Sequence, residues 1–156
     1  MLELTGESAE AALRKAIQDS NQDPIPRCIV LEVWLAPGNG EAYLQRLHRE
    51  MESYAPLLAR DRQVVELGFR GAGQSRLVPG QGAELLHSLE LQFAPLRIVP
   101  AVRDRAREYD LLGLGLGAVS RFGACQTHNA ADLPAYCAAI DAGRLPIVSA
   151  SSAAAH

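Results

Sequence analysis

The residues best equipped for chemistry are few and scattered. Cys125 and His128 stand in a Cys-x-x-His spacing that can put a thiolate and an imidazole on one metal ion. A metal site needs two further ligands, and no nearby segment offers them, so the spacing is read as an ordinary loop after a strand. His48 and His87 sit on the faces of amphipathic segments and read as surface or boundary residues. Arg97, Arg103, Arg105, Arg107 and Arg121 outnumber the acids around them. Guanidinium forks suit carboxylates; the plainer reading is a solvated face balanced by Asp104, Glu108 and Asp110. Gly71 and Gly73 form one flexible loop, and Gly113, Gly115 and Gly117 fall on alternate positions. Alternate glycines on a strand give a smooth face that another backbone, or a flat ligand, can approach closely. Of these two uses, packing is the commoner.

The elements that must position these residues are legible from periodicity. Ala9, Ala12, Leu13, Ala16 and Ile17 mark a helix over residues 8–19, stopped by the proline-rich run at 21–26. Residues 28–35, CIVLEVWL, read as a buried strand with Trp34 at its end in the core. Leu44, Leu47, Met51, Tyr54 and Leu58 mark one face of a second helix, whose other positions carry Arg46, Arg49, Glu50 and Glu52. Residues 64–69 form a strand, and Leu85, Leu86, Leu89 and Phe93 a helix. Residues 96–99 suggest a short strand, residues 103–109 are harder to assign, and residues 112–120 form a third clear strand. Leu133, Cys137 and Ile140 define the last helix, with Asn129 near its start and Gly143 at its end. Strands alternating with helices imply βα units, so the expected fold is α/β: a small, mainly parallel sheet flanked by helices, a partial barrel. Residues 1–148 make one domain and residues 149–156, SASSAAAH, a disordered tail.

Composition narrows the function classes. A chain of 156 residues with 48% hydrophobic content supports one domain with a real core. A net charge of −3 and the lack of an evident basic patch argue against a nucleic-acid partner. The apolar stretches fall short of the roughly 20 residues that span a bilayer, and the first thirty residues do not build a signal peptide. Three widely spaced cysteines, Cys28, Cys125 and Cys137, fit a reducing compartment rather than a disulfide framework. A cytoplasmic protein is expected.

The segment DLLGLGLGAVSRFG, followed by an Asn and a helix ending AIDAGRLPI, resembles the oxygen-independent coproporphyrinogen III oxidases, radical S-adenosylmethionine enzymes of haem synthesis. That family has D-L-[IL]-G-[FLM]-G-[VL]-S-A-I-S, then G, then Q-N, then a helix ending D-x-G-x-L-P. AALRKAIQDSNQDPIPRCIVLEVWLAP is similar to the family's leading helix, Pro-rich turn and first barrel strand. YLQRLHREMESYAPLLARDRQVVELGFRGAGQS is similar to its first barrel helix and second strand with a Gly-rich loop.

The resemblance implies a (β/α) barrel scaffold, a four-iron cluster and S-adenosylmethionine, and a porphyrinogen substrate. It also has departures. The family's CxxxCxxC loop, whose three thiolates hold the cluster, is missing after Leu35-Ala36-Pro37. Glu32 stands where the family has a tyrosine, Arg70-Gly71-Ala72-Gly73 replaces its Gly-Gly-Gly-Thr-Pro-Thr run, and the middle of the barrel is absent. No cofactor, catalytic residue or metal ligand is therefore expected. By resemblance and strand geometry, Gly71, Gly73, Gly115 and Phe122 are the candidates for cofactor contact. The function this implies is a non-catalytic relative that binds a tetrapyrrole or a protein partner in haem metabolism. Its alternatives are an oxidoreductase subunit with the cluster supplied by another chain, and a decayed gene fragment. Lost barrel strands leave unpaired edges, so a homodimer or a partner-bound subunit is expected.

Overall fold

The computed structural model describes residues 2–24, 27–35, 40–59, 62, 64–70, 79–93 and 109–152. In chain order the elements are β1 (Leu2–Thr5), α1 (Gly6–Asn21), β2 (Ile29–Trp34), α2 (Glu41–Tyr54) running into a 3-10 turn (Ala55–Leu57), β3 (Val64–Arg70), α3 (Pro79–Gln92), β4 (Asp110–Gly115), β5 (Val119–Phe122), β6 (Cys125–Asn129), α4 (Leu133–Asp141) and β7 (Ile147–Ser152). The strands form one sheet in the order β1-β7-β6-β5-β4-β2-β3.

This sheet is mixed. Pairs β2·β3 and β2·β4 are parallel, while β4·β5, β5·β6, β6·β7 and β1·β7 are antiparallel. The expectation of a mainly parallel sheet is corrected here, and the cause is local. Residues 112–120 are not one strand: β4 ends at Gly115, the chain turns, and β5 returns beside it without an intervening helix. Gly115 and Gly117 make the turn with φ of +104 and +70, values that cost a residue with a Cβ free energy. Residues 149–152, expected in a disordered tail, lie in β7 between β6 and β1. The short strand expected at 96–99 and most of residues 103–109 lie outside the described residues.

Alternation along the strands separates two faces. Ile29, Leu31 and Val33 share register with Asp110, Leu112 and Leu114, and this face continues through Phe122, Thr127 and Ala150. Its apolar members form one core with Ala9, Leu13 and Ile17 of α1, Leu44, Leu47 and Met51 of α2, Leu85 and Leu89 of α3, and Tyr136 and Ile140 of α4. The helices thus stand on this first face. Helix α1 is held by its apolar stripe and by the i,i+4 pairs Glu10–Arg14 and Lys15–Asp19. The opposite face carries Glu3, Thr5, Ser149, Ser151, Gln126, His128, Val119, Arg121, Leu111, Glu32, Trp34 and Arg70. All are partly exposed or exposed, whereas Val30 on the same face is buried. In a closed barrel, such a face looks inward.

Candidate functional site

In α/β sheets ligands gather at the carboxyl ends of the parallel strands. Here those ends are Trp34, Arg70 and Gly115, which lie in register. Glu50 holds this place from behind. It projects from α2, is 0% exposed, and its Oε1 accepts from the Gly115 N–H at 2.8 Å and the Tyr136 hydroxyl at 2.8 Å. Its Oε2 accepts from Asn129 Nδ2 at 2.9 Å, and the same amide donates to the Gly115 carbonyl at 2.9 Å. Tyr43, about two turns before Glu50, donates to the Trp34 carbonyl at 2.5 Å and accepts from the Leu116 N–H at 2.9 Å. Tyr43 and Tyr136 rings pack at 5.6 Å. One carboxylate therefore joins α2, the end of β4, the end of β6 and α4.

Burial pushes the Glu50 carboxyl up to about 7, against the three donors, which favour its charged form. Burial also drives the Tyr43 and Tyr136 phenols well above their usual value, so both remain protonated near neutral pH. A carboxyl near 7 is matched in strength to proton transfer at neutral pH. Enclosed with its oxygens engaged by three protein donors, Glu50 holds the backbone at Gly115.

The open face supplies the accessible groups. Glu32 Oε2 accepts from Arg70 Nε at 3.0 Å, with Arg70 half-exposed and Glu32 mostly covered. Trp34 lies next to this pair, and its buried indole N–H has no hydrogen-bond partner among the described residues. Arg121 stacks over the Tyr109 ring at 5.6 Å, and His128 is exposed opposite Val119 and Ser149. At the amino ends of β2 and β4 lies a second buried polar group. Asp110, 1% exposed, accepts from Arg62 Nη2 at 2.7 Å, Ser20 Oγ at 2.5 Å and the Gly123 N–H at 3.1 Å. This cluster ties α1 and residue 62 to the start of β4.

Several expectations change at this level. At Gly115, expected as a cofactor contact, a Cβ would lie 2.2 Å from the Trp34 carbonyl oxygen and 2.6 Å from the Tyr43 hydroxyl, so on that side protein fills the space. Gly113 likewise admits the Val119 carbonyl, 2.2 Å from where its Cβ would be, so the close approach is made by backbone. Phe122 is 1% exposed in the hydrophobic core. Gly71, Gly73, Arg97, Arg103, Arg105 and Arg107 lie outside the described residues. Cys125 and His128 belong to strand β6 rather than a loop. Asn129 does not cap α4; the Asp132 side chain does, accepting from the Ala135 N–H. Glu50, read as a solvent-side residue of α2, is the most enclosed carboxylate of the site. It falls on the 43–47–50–54 stripe with Tyr43, Leu47 and Tyr54, a spacing that could have flagged it.

The residues present do not fit a thiolate-held cluster. Cys28 precedes β2, and its carbonyl accepts the Asp110 N–H at 2.9 Å, which places it at the amino ends of the strands. Cys125 pairs with Phe122 beside Gly123, near the same pole, and Cys137 lies on α4. Among the described residues no three His, Cys, Asp or Glu side chains converge as metal ligands. Burial also raises the Cys125 thiol, disfavouring the thiolate that binds iron. Among the described residues, no helix is long and apolar enough to cross a membrane.

Sheet order, parallel β2–β4 core and one-sided helices define a piece of a TIM-barrel-like α/β fold. The fold is similar to the solved structure of coproporphyrinogen III oxidase from Escherichia coli, a radical SAM enzyme, with a TM-score of 0.73 and 12% identity, covering 92% of this chain and 75% of that one. At that identity the likeness shows the fold. No family model matches the chain, and no curated protein matches it in sequence.

Proposed function

We propose that the chain is a non-catalytic relative of the coproporphyrinogen III oxidases that binds a tetrapyrrole on the open face of its sheet, or a protein partner in haem metabolism. The observation carrying this reading is the conjunction of a fold similar to that oxidase with three cysteines set apart at Cys28, Cys125 and Cys137. The open face has the chemistry for a carboxylated ligand: exposed guanidinium groups at Arg70 and Arg121. Glu50 and Asn129 serve by holding the strand ends still. The reading includes a reducing compartment for the free thiols and association with a second chain.

Titration with coproporphyrin and with haem under reducing conditions tests it. A saturable change in absorbance or fluorescence, weakened by Arg70→Ala or Arg121→Ala, is expected. Flat curves overturn the tetrapyrrole reading. Anaerobic incubation with iron and sulfide is expected to leave no cluster absorbance; a stable brown chromophore would refute the non-catalytic reading and favour an oxidoreductase subunit.

A further inference from the structure

Among the described residues, His128 is the one histidine on the open face; His48 and His87 lie on α2 and α3. It is exposed, and no hydrogen bond or ion pair from the described residues engages it. A strand side chain stands roughly perpendicular to its sheet. The neighbours in register with His128 are Val119 of β5 and Ser149 of β7, both short and half-buried. The imidazole therefore rises above a low floor. Ser149 also puts a hydroxyl acceptor one strand away from the second ring nitrogen, the kind of partner a ligating histidine uses.

The adjacent row on the same face runs Glu3, Ser151, Gln126, Arg121. Arg121 is thus a diagonal neighbour of His128, about 7–8 Å away along the sheet. Its guanidinium is exposed and stacks over the Tyr109 ring at 5.6 Å. Charge along this row is ordered, with the exposed Glu3 carboxylate at one end and Arg121 at the other. A flat ligand with carboxylates on one edge is turned so that this edge meets the guanidinium fork.

A neutral imidazole is a strong iron ligand, and in haem it binds along the axis perpendicular to the macrocycle. An imidazole upright on the sheet holds such a ring parallel to the sheet, over Val119 and Ser149. We infer that the open face takes haem in preference to a metal-free porphyrin, with the His128 imidazole as axial ligand to the iron and Arg121 pairing with the carboxylates. The inference rests on the tetrapyrrole reading above and adds to it the metal and its ligand. The thiols do not compete from this place: Cys125 and Cys137 pack against the core, and Cys28 lies at the amino ends of the strands. The ligand also belongs to this chain in particular. In the segment similar to the oxidases, Asn129 keeps the Asn of their Q-N, and His128 stands in place of the Gln.

Titration of the whole reduced chain with haem and with protoporphyrin, the same macrocycle without iron, tests it. Haem should bind more tightly, and its Soret band and resonance Raman spectrum should report a nitrogen ligand. His128→Gln should abolish that signature and bring haem affinity down to that of protoporphyrin, with protoporphyrin binding unchanged. Thermal melts matching the natural chain would show that the fold survives, and His128→Ala replaces the glutamine variant if they do not. His48→Ala should keep the signature. A nitrogen-ligand spectrum that persists without His128, or equal affinity of the natural chain for the two macrocycles, overturns the inference. If protoporphyrin binds but haem shows no iron–nitrogen signature, this inference fails while the tetrapyrrole reading stands; if neither macrocycle binds, both fall.

Discussion

Replacing Glu50 by glutamine should make stability less dependent on pH and produce a crossing of the two stability curves. Glu50 ionises in the folded chain at about 7, against 4.5 for the free group. Between those pH values the folded chain holds a proton that the unfolded chain has released, so stability falls as pH rises through the window and levels off above it. At about 1.4 kcal/mol per pH unit, the loss assigned to this one group is about 3 kcal/mol. The glutamine side chain cannot ionise, but its amide nitrogen would meet Asn129 Nδ2, donor against donor, where Glu50 Oε2 now accepts. Losing that bond costs about 1 kcal/mol. The variant is therefore expected to be less stable by about 1 kcal/mol near pH 4.5 and more stable by about 2 kcal/mol above pH 7. Urea unfolding of both chains in a series of buffers measures it, and taking the difference cancels the other titrating groups. Curves that stay parallel would refute the reasoning. So would a natural chain that gains on the variant as pH rises, because the Gly115, Tyr136 and Asn129 donors would then have overcome burial.

The amino-end cluster makes a second prediction. Asp110→Ala leaves the Arg62 guanidinium buried without its carboxylate and should lower stability by about 3–5 kcal/mol, read by thermal or urea melts; a loss under about 1 kcal/mol would show that water reaches Arg62. Two glycines with positive φ form a paired test. Gly115→Ala drives a Cβ against the Trp34 carbonyl oxygen and should cost roughly 3 kcal/mol or more, whereas Gly143→Ala, at φ +76 with open space around it, should cost about 1 kcal/mol. Equal losses at the two sites would mean that the backbone angle alone, and not the packing at the ends of β2 and β4, sets the penalty.

The helices and the parallel strands were legible because each carries its own signal: a 3.6-residue apolar stripe in α1 and α2, and an apolar β-branched run in β2. Strands β6 (CQTHN) and β7 (IVSASS) carry little. Their inward positions include Thr127, Asn129 and Ala150, and their outward positions lie on an open polar face, so hydrophobicity does not alternate. Without them, a helix after each strand suggested a parallel sheet, and the β4–β5 return could not be seen. The resemblance at residues 110–147 pointed to the related fold, but it attached meaning to Gly115 and Phe122, whose spacing is visible. Their physical role depends on Glu50 and α1, far away in the chain.

Glu50 shows why the two halves cannot be read separately. The βα half contributes Glu50 and Tyr43 from α2 and the strand ends at Trp34 and Gly115; the antiparallel half contributes Asn129 and Tyr136. Neither half satisfies the buried groups alone: without Asn129 and Tyr136 the carboxylate keeps one donor of three, and an enclosed charge with one donor is costly. Docking of the hairpin and α4 against α2 is thus what fixes Gly115, and with it the ends of β2 and β4 that border Glu32, Arg70 and Trp34. A change at Glu50 should consequently be felt on the open face, through backbone position rather than contact.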